Sequence, residues 1–331
     1  MEKFVTQLQR WYLENSRDLP FRKTREGYSV WVSEIMAQQT RIETMLPYYE
    51  RWMSRWPTIR SLAEAQESDV LKMWEGLGYY NRARNLHHGA KMLVGEENGE
   101  FPTSYAKILK IPGIGPYTAA AIASIVYDEK VAAIDGNVSR VVSRLMKIEA
   151  EISSASAQVV VNDKMKEWIE GSIPHVFTQA MMELGALVCT PKSPDCDHCP
   201  VREHCLAYGD QTTGRYPIKK AKAKVPTEKY DCFIIQDDDG RIAVVADSDD
   251  GLMAGYYRFP VATQINRAAL KDIERIEAQK HVFSHKIWET TYYRAKTEIS
   301  FEPFSWVSEE ELEALPLITA HRKFFKKTRQ G

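Results

Sequence analysis

The spacing of apolar residues over the first two thirds of the chain is helical. Val32, Ile35, Met36, Ile42 and Leu46 recur at a 3.6-residue period and predict one amphipathic helix over 32–46. Glu34, Gln38 and Arg41 share its polar face. A similar pattern predicts a helix over 61–75, ended by Gly76-Leu77-Gly78. Further helices are expected over 104–110, 117–127, 138–147, 158–171 and 177–188. Between about 211 and 229 the composition shifts: Arg215, Lys219, Lys220, Lys222, Lys224 and Lys229 stand among Pro217 and Pro226, an exposed basic linker. Beyond it the period becomes two. Strands are predicted over 230–235 and 242–246, joined by the hairpin signal Asp237-Asp238-Asp239-Gly240. Others are expected near 256–261, 281–285 and 290–306, and Ser308-Glu309-Glu310-Glu311 reads as a capping box opening a short helix. The expected fold class is a mainly α N-terminal region followed by a small α+β module.

Composition narrows this picture. The 331 residues suggest about two domains, and the 44% hydrophobic fraction suffices for packed cores. No apolar run approaches the roughly 18–20 residues of a membrane helix, and the first residues lack a secretion signal. A cytoplasmic chain without membrane partners is expected. Lys and Arg number 44 against 45 Asp and Glu, so any nucleic-acid binding must come from local basic patches.

The cysteines are clustered. Cys189, Cys196, Cys199 and Cys205 follow a Cys-x6-Cys-x2-Cys-x5-Cys spacing. Without a secretion signal such crowding argues for metal over disulfides. Four thiolates on a short loop suit a [4Fe–4S] cluster. A structural Cys₄ zinc site is the alternative, although zinc usually pairs two Cys-x2-Cys knuckles and only one short pair is present. Cys232, alone in a predicted strand, reads as a small buried apolar residue.

Two further features carry chemistry. Ile111-Pro112-Gly113-Ile114-Gly115-Pro116-Tyr117 between two short helices suits a helix–hairpin–helix, whose glycines allow close approach and whose second helix offers N–H groups to a phosphate. An ordinary helix connector has the same local pattern. Glu34 by its own helix is a surface carboxylate, and Asp135, just before a helix, is a cap. Spacing alone does not bring them together.

The order of these segments resembles the MutY adenine DNA glycosylases of the helix–hairpin–helix repair superfamily. The resemblance runs from about residue 8 to the end. It rests on Trp31-Val32-Ser33-Glu34-Ile35-Met36-Ala37-Gln38-Gln39-Thr40, Gly76-Leu77-Gly78-Tyr79-Tyr80, the Pro-Gly-Ile-Gly hairpin with Tyr117, Asp135-Gly136-Asn137-Val138, the cysteine cluster and Phe283-Ser284-His285. It implies a monofunctional glycosylase, likewise monomeric, that flips adenine from 8-oxoguanine:adenine pairs in double-stranded DNA. Glu34 is then the general acid and Asp135 the stabiliser of the sugar cation, with Tyr117 and Asn137 bonded to this pair. Gln38, Gln39 and Tyr79 would enter the duplex, beside Thr40, and the backbone at Gly113 and Gly115 would meet phosphate. Arg17, Leu19 and Glu183 would surround the adenine pocket. Ser284 and His285 would read 8-oxoguanine from a Nudix-like module that carries no Arg-Glu-x-x-Glu-Glu motif. The resemblance also favours [4Fe–4S] on the four cysteines.

The implied domains are a six-helix barrel module over 26–132, a cluster domain from 1–25 and 133–215, the basic linker 216–227 and the lesion-recognition domain 228–331. A lysine at the place of Tyr117 would mark an endonuclease III-type lyase, and an iron–sulfur DNA sensor without chemistry is the third possibility. Three positions depart from the family's pattern: Ala37 stands for Leu, Phe21 for Trp and Tyr257 for Trp. Arg202, Lys192 and His204, and the tail Arg322, Lys323, Lys326, Lys327 and Arg329, are either phosphate contacts or solvated charges.

Overall fold

A computed structural model describes residues 2–220, 225–246, 255–283, 286–298, 302 and 304–328. They fall into two compact units, Met1–Ala63 with His88–Ala221, and Glu64–His87 with Lys222–Gly331. In chain order the helices are α1 (Glu2–Asn15), α2 (Pro20–Lys23), α3 (Gly27–Ala37), α4 (Ile42–Arg55), α5 (Ile59–Ala63), α6 (Glu67–Trp74), α7 (Asn81–Glu96), α8 (Tyr105–Ile108), α9 (Pro116–Tyr127), α10 (Gly136–Met146), α11 (Ala155–Glu170), α12 (Pro174–Leu187), α13 (Leu206–Gly209), α14 (Glu309–Ala314) and α15 (Thr319–Thr328). Among the described residues no helix is long and apolar enough to cross a membrane.

In the first unit α3 is buried on nearly every side, through Val30, Trp31, Val32, Ile35 and Met36. The single helix predicted over 32–46 is in fact two. Gln39 takes φ 57°, a left-handed conformation that a right-handed helix excludes, and the chain turns between α3 and α4. The apolar period happens to run across this break, which hid it. On α4 the buried stripe is Met45, Tyr49 and Trp52, while Ile42 and Leu46 are only partly buried. The helix predicted over 61–75 is likewise divided, into α5 and α6. A second core joins α1, α10, α11 and α12 through Leu8, Val142, Val161, Phe177 and Met181.

The second unit carries a mixed sheet of six strands in the order β3-β2-β1-β5-β4, with β6 on β2. They are β1 (Thr227–Gln236), β2 (Ile242–Ala246), β3 (Tyr257–Arg258), β4 (Lys271–Val282), β5 (Ile287–Lys296) and β6 (Ser305–Val307). β1 runs parallel to β5, with Thr227 opposite Ile287, and both lie inside the sheet. Cys232 and Ile234 face Phe324 and Phe325 of α15, while Phe233 and Ile235 pack on Leu270 and Ala295. Cys232 is therefore a buried core residue. The hairpin after β1 and the Ser308 capping box stand as the sequence predicts: the Glu311 N–H donates to Ser308 Oγ at 3.1 Å and the Ser308 N–H to Glu311 Oε2 at 2.8 Å. β4 extends well before the predicted strand at 281, because its largely exposed Lys-Asp-Ile-Glu-Arg start lacks a clean apolar alternation. The strand expected over 290–306 is β5 and β6, with Lys296 ending the first.

Of the basic-tail residues, Arg322 is buried inside this unit, which corrects its reading as a phosphate contact or solvated charge, while Lys327 stays exposed in a surface ion pair. Arg322 is 7% exposed and pairs with Glu75, and Lys327 pairs with Glu277 at 2.7 Å. At the start of the expected linker, Tyr216 is buried and the Ile218 carbonyl accepts from Ile152 N–H at 2.8 Å.

Gly89 tests the packing around Trp31. A Cβ there would lie 2.8 Å from Trp31 Cζ2 and 2.9 Å from Ile111 Cγ2. Gly89→Ala gains about 1 kcal/mol of helix propensity, but overpacking costs about 1–3 kcal/mol. The expected net result is destabilisation by about 1 kcal/mol, read by chemical denaturation. A stabilised variant would show that Trp31 has room to move.

Candidate active site

One cleft of about 530 Å³ opens in the first unit. Its volume lies in the range of small-molecule sites, and its wall is built from five places in the sequence. α3 supplies Ser33, Glu34 and Ala37, and the turn after it supplies Gln38, Gln39, Thr40 and Arg41. Arg17, Leu19, Phe21 and Arg22 come from the segment around α2. Tyr117 comes from the first turn of α9, Asp135 and Asn137 from the start of α10, and Met182, Glu183 and Ala186 from α12. The polar group Glu34, Gln38 and Arg41, placed on one face by sequence, does share one surface. That surface is a cleft wall rather than solvated exterior.

Asp135 is the N-cap of α10. Its Oδ1 accepts the Val138 N–H at 2.7 Å, as the capping reading required. Its Oδ2 accepts Asn137 Nδ2–H at 2.9 Å, and the carboxyl still faces the cleft. Asn137 is held in turn by Arg140, whose Nη2 donates to Asn137 Oδ1 at 2.9 Å and to the Gly185 carbonyl at 2.8 Å. The same guanidinium donates from Nε to the Cys189 carbonyl at 2.8 Å. Gly185 permits this approach, since a Cβ there would lie 2.6 Å from Asn137 Cβ.

Glu34 accepts a hydrogen bond from the Tyr117 hydroxyl at 3.0 Å. Burial pushes its carboxyl up to about 7, the Tyr117 bond opposes this, and the Asp135 charge raises it further. Burial also raises Asp135, against the bonds from Val138 and Asn137. Glu183 shows the opposite balance. It is 1% exposed, and burial by itself would raise its carboxyl. Arg17 donates to it at 2.8 Å from Nε and from Nη2, and Arg22 at 3.1 and 2.7 Å. These bonds hold it near 2. Glu183 is thus fixed as an anion between two guanidiniums, while Glu34 sits poised near neutrality.

Sequence reasoning missed Arg22, Arg140 and Met182. Phe21 meets Tyr49 edge-on at 5.4 Å, which keeps an aromatic surface at that departure. Gly113 and Gly115 lie in the turn between α8 and α9, with Gly113 at φ 78° and Gly115 capping α9. Tyr79, at φ 49°, belongs to the second unit. Ser284 and His285 lie outside the described residues.

The four clustered thiols line one small apolar space with Val141, Leu145, Leu184, Val188 and Val201. Burial pushes Cys199 up to about 12, and the neighbouring Cys189, Cys205 and Cys196 charges add to it. Four thiols gathered around one small apolar space fit a polynuclear cationic core. Arg144, 2% exposed, donates to Cys189 Sγ at 3.2 Å and to the Thr190 carbonyl at 2.7 Å. It also bonds the carbonyls of Thr213 and Tyr216. Arg202 and Lys192 are exposed beside the thiols, whereas His204 turns to Gln7 of α1 at 2.9 Å.

Comparison with known proteins gives the same reading. Residues 32–170 match the HhH-GPD superfamily base excision DNA repair proteins, 189–205 the iron-sulfur binding domain of endonuclease III, and 231–327 the NUDIX domain. An adenine DNA glycosylase of Rattus norvegicus is 32% identical over 98% of this chain and 77% of its own length. One of Homo sapiens is 33% identical over 96% and 72%, and one of Buchnera aphidicola 34% identical over 83% and 82%. Among solved structures, a thermostable thymine-DNA glycosylase aligns with TM-score 0.55 at 23% identity, covering 63% of this chain and 97% of its own. A trapped endonuclease III–DNA covalent intermediate aligns with TM-score 0.53 at 20% identity over 62% and 94%. Both share the fold of the helical region. The cysteine loop carries a [4Fe–4S] cluster, consistent with its thiol set.

The raised Glu34 carboxyl has a consequence for stability. Its folded pKa of about 7 lies above the ordinary 4.5, so the folded state binds the extra proton between these values. The group's contribution is fully present below about 4.5 and is lost as pH rises through about 7. The rise corresponds to at most roughly 3 kcal/mol. Glu34→Gln should therefore be more stable than the parent above pH 7, with the difference closing below pH 5. A melting-temperature difference independent of pH would contradict this.

Proposed function

The chain belongs to the adenine DNA glycosylase family, and on that premise we propose that it excises adenine paired with 8-oxoguanine, or with guanine, from double-stranded DNA. It is a DNA N-glycosylase of base excision repair. The observation that carries the mechanism is a carboxyl held near pH 7 in a base-sized cleft that also contains a second carboxylate.

An adenine anion is a poor leaving group, so the base must be protonated as it departs. Glu34, protonated, gives its proton to N7 of the flipped adenine. The C1′–N9 bond breaks, its electron pair leaves with the base, and positive charge develops on the sugar. Asp135 faces that charge as an anion, held in place by Asn137 and the Val138 N–H. Glu34, now a carboxylate, takes a proton from the water that adds to C1′, leaving an abasic site. The Tyr117 hydroxyl fixes the Glu34 carboxyl through both stages. A phenol forms no Schiff base with the sugar, so strand cutting by β-elimination is absent.

The Arg17–Glu183–Arg22 group and Leu19 shape the adenine pocket. Gln38, Gln39, Thr40 and Tyr79 meet the duplex where the base has left, compensating for lost stacking. The turn at Gly113 and Gly115 holds a phosphate through backbone N–H groups. The NUDIX-like unit, with Ser284 and His285, reads 8-oxoguanine. When bound, the cluster supplies iron–thiolate bonds that close the 189–205 loop, and Arg140 and Arg144 tie that loop to α10. The protein acts as a monomer on genomic DNA in the cytoplasm, associated with the nucleoid if its host is bacterial.

End-labelled duplexes with adenine opposite 8-oxoguanine, guanine or thymine, with and without hot alkali, test this reading. Cleavage only after alkali, fastest opposite 8-oxoguanine, is expected. Cleavage without alkali would reveal a lyase, and none at all a binding protein. Glu34→Gln and Asp135→Asn should keep DNA affinity while losing at least about 10²-fold in excision. Gly185→Ala, which drives Asn137 off Asp135, should lose about 10²-fold in turnover with the cluster absorbance intact. Unchanged turnover would remove Asn137 from the mechanism.

A further inference from the structure

We infer that the buried Arg322–Glu75 ion pair couples the lesion-reading sheet to the Tyr79 turn, and so sets the preference for 8-oxoguanine over guanine opposite adenine. This rests on the proposed roles of the NUDIX-like unit and of Tyr79.

The contact grouping places α6 and the Gly76–Tyr80 turn with residues 222–331. The attachment is specific. Arg322 of α15 donates from Nε to Glu75 Oε1 at 2.6 Å, with side chains 8% and 14% exposed. The same guanidinium donates to the Leu312 and Leu315 carbonyls, so α14 and α15 share the anchor. Tyr256 lies just before β3. Its hydroxyl donates to the Leu71 carbonyl of α6 at 3.0 Å, and its ring stacks on Tyr80 at 3.7 Å. Tyr80 and Tyr79 are adjacent, so one tyrosine of the turn is fastened to the sheet unit beside the one assigned to DNA.

Movement at Glu75 passes to Tyr79 because the turn is rigid. Gly76 and Gly78 take φ 105° and 70°, and Tyr79 itself φ 49°. Trp74 Nε1 donates to the Gly78 carbonyl at 3.1 Å. Arg82, 9% exposed, donates to the Leu77 and Gly78 carbonyls at 3.0 and 2.9 Å and lies over the Trp74 ring at 5.1 Å. Glu75, the C-cap of α6, opens this braced turn. A displacement of α15 against α6 therefore moves the backbone that carries Tyr79. When the sheet unit engages 8-oxoguanine, Tyr79 is seated; opposite guanine, that engagement is missing.

The experiment uses the full-length, cluster-loaded protein. The double variant Glu75→Gln/Arg322→Met replaces the pair with neutral side chains of similar length, so neither charge is left buried alone. Single-turnover excision is measured opposite 8-oxoguanine and opposite guanine, with 2-aminopurine beside the pair reporting unstacking. The parent should prefer 8-oxoguanine and show a larger fluorescence rise with it. The double variant should keep excision opposite guanine within about 3-fold while losing at least about 10-fold opposite 8-oxoguanine, with the two fluorescence rises made equal. Arg322→Lys, which keeps a cation opposite Glu75, should retain most of the preference. A double variant with the parent's preference overturns the inference. So does an equal loss opposite both bases, which would make the pair merely structural. A parent without any preference would instead overturn the proposed 8-oxoguanine reading.

Discussion

Burial of the Glu34 carboxyl is the constraint on which the rest of the site depends. A carboxylic acid exposed on a helix would be ionised at neutral pH and useless as a proton donor. α3 prevents this by being apolar on nearly all sides, so that the one acidic side chain it carries faces a cleft instead of solvent. Desolvation raises the carboxyl to about 7 in spite of the Tyr117 hydrogen bond. The cost is of the order of 3 kcal/mol, a large fraction of a typical domain's stability, and it must be carried by packing elsewhere.

The other two carboxylates in the cleft show how differently the same burial is answered. Glu183 is the more buried residue, yet two bidentate guanidiniums keep it ionised. Asp135 has only neutral donors, Asn137 and the Val138 amide, directly on its oxygens. The three acids in one cavity are thus answered differently: Glu34 is raised to about 7, Glu183 is held near 2, and Asp135 is raised by burial against its two hydrogen bonds. Under the proposed mechanism these correspond to the proton donor, a structural anion and the charge stabiliser. The helix that presents Asp135 also presents Arg140 and Arg144 one and two turns on, so the carboxylate and the cysteine loop share one rigid mount.

Much of the helical region was legible because its elements have strong periods and clear stops. α9, α10, α12 and β2 lie within a few residues of their expected bounds. The failure over 32–46 is instructive. A left-handed Gln39 has no sequence signal, since glutamine is an ordinary helix former, and the apolar period resumes in phase after it. That hidden turn forms part of the cleft wall. The resemblance named Glu34, Tyr117, Asp135 and Asn137, and the fold gathers them, although they span over 100 positions. Arg22 and Arg140 escaped because an arginine four or five residues from a known partner is usually a surface charge. β4 and the internal pairing of Arg322 escaped because polar sequence on an edge strand or a terminal helix reads as solvated.

The central claim is that Glu34 is a neutral acid near physiological pH. The direct measurement is isotope-edited infrared difference spectroscopy of the protein with ¹³C-labelled glutamate carboxyls, titrated from pH 4 to 9 against Glu34→Gln. A protonated-carboxyl band that is absent from the variant and disappears with a midpoint near 7 is the expected result. A Glu34 band that has already vanished by pH 5 would contradict the account, because the cleft would then hold carboxylates but no acid.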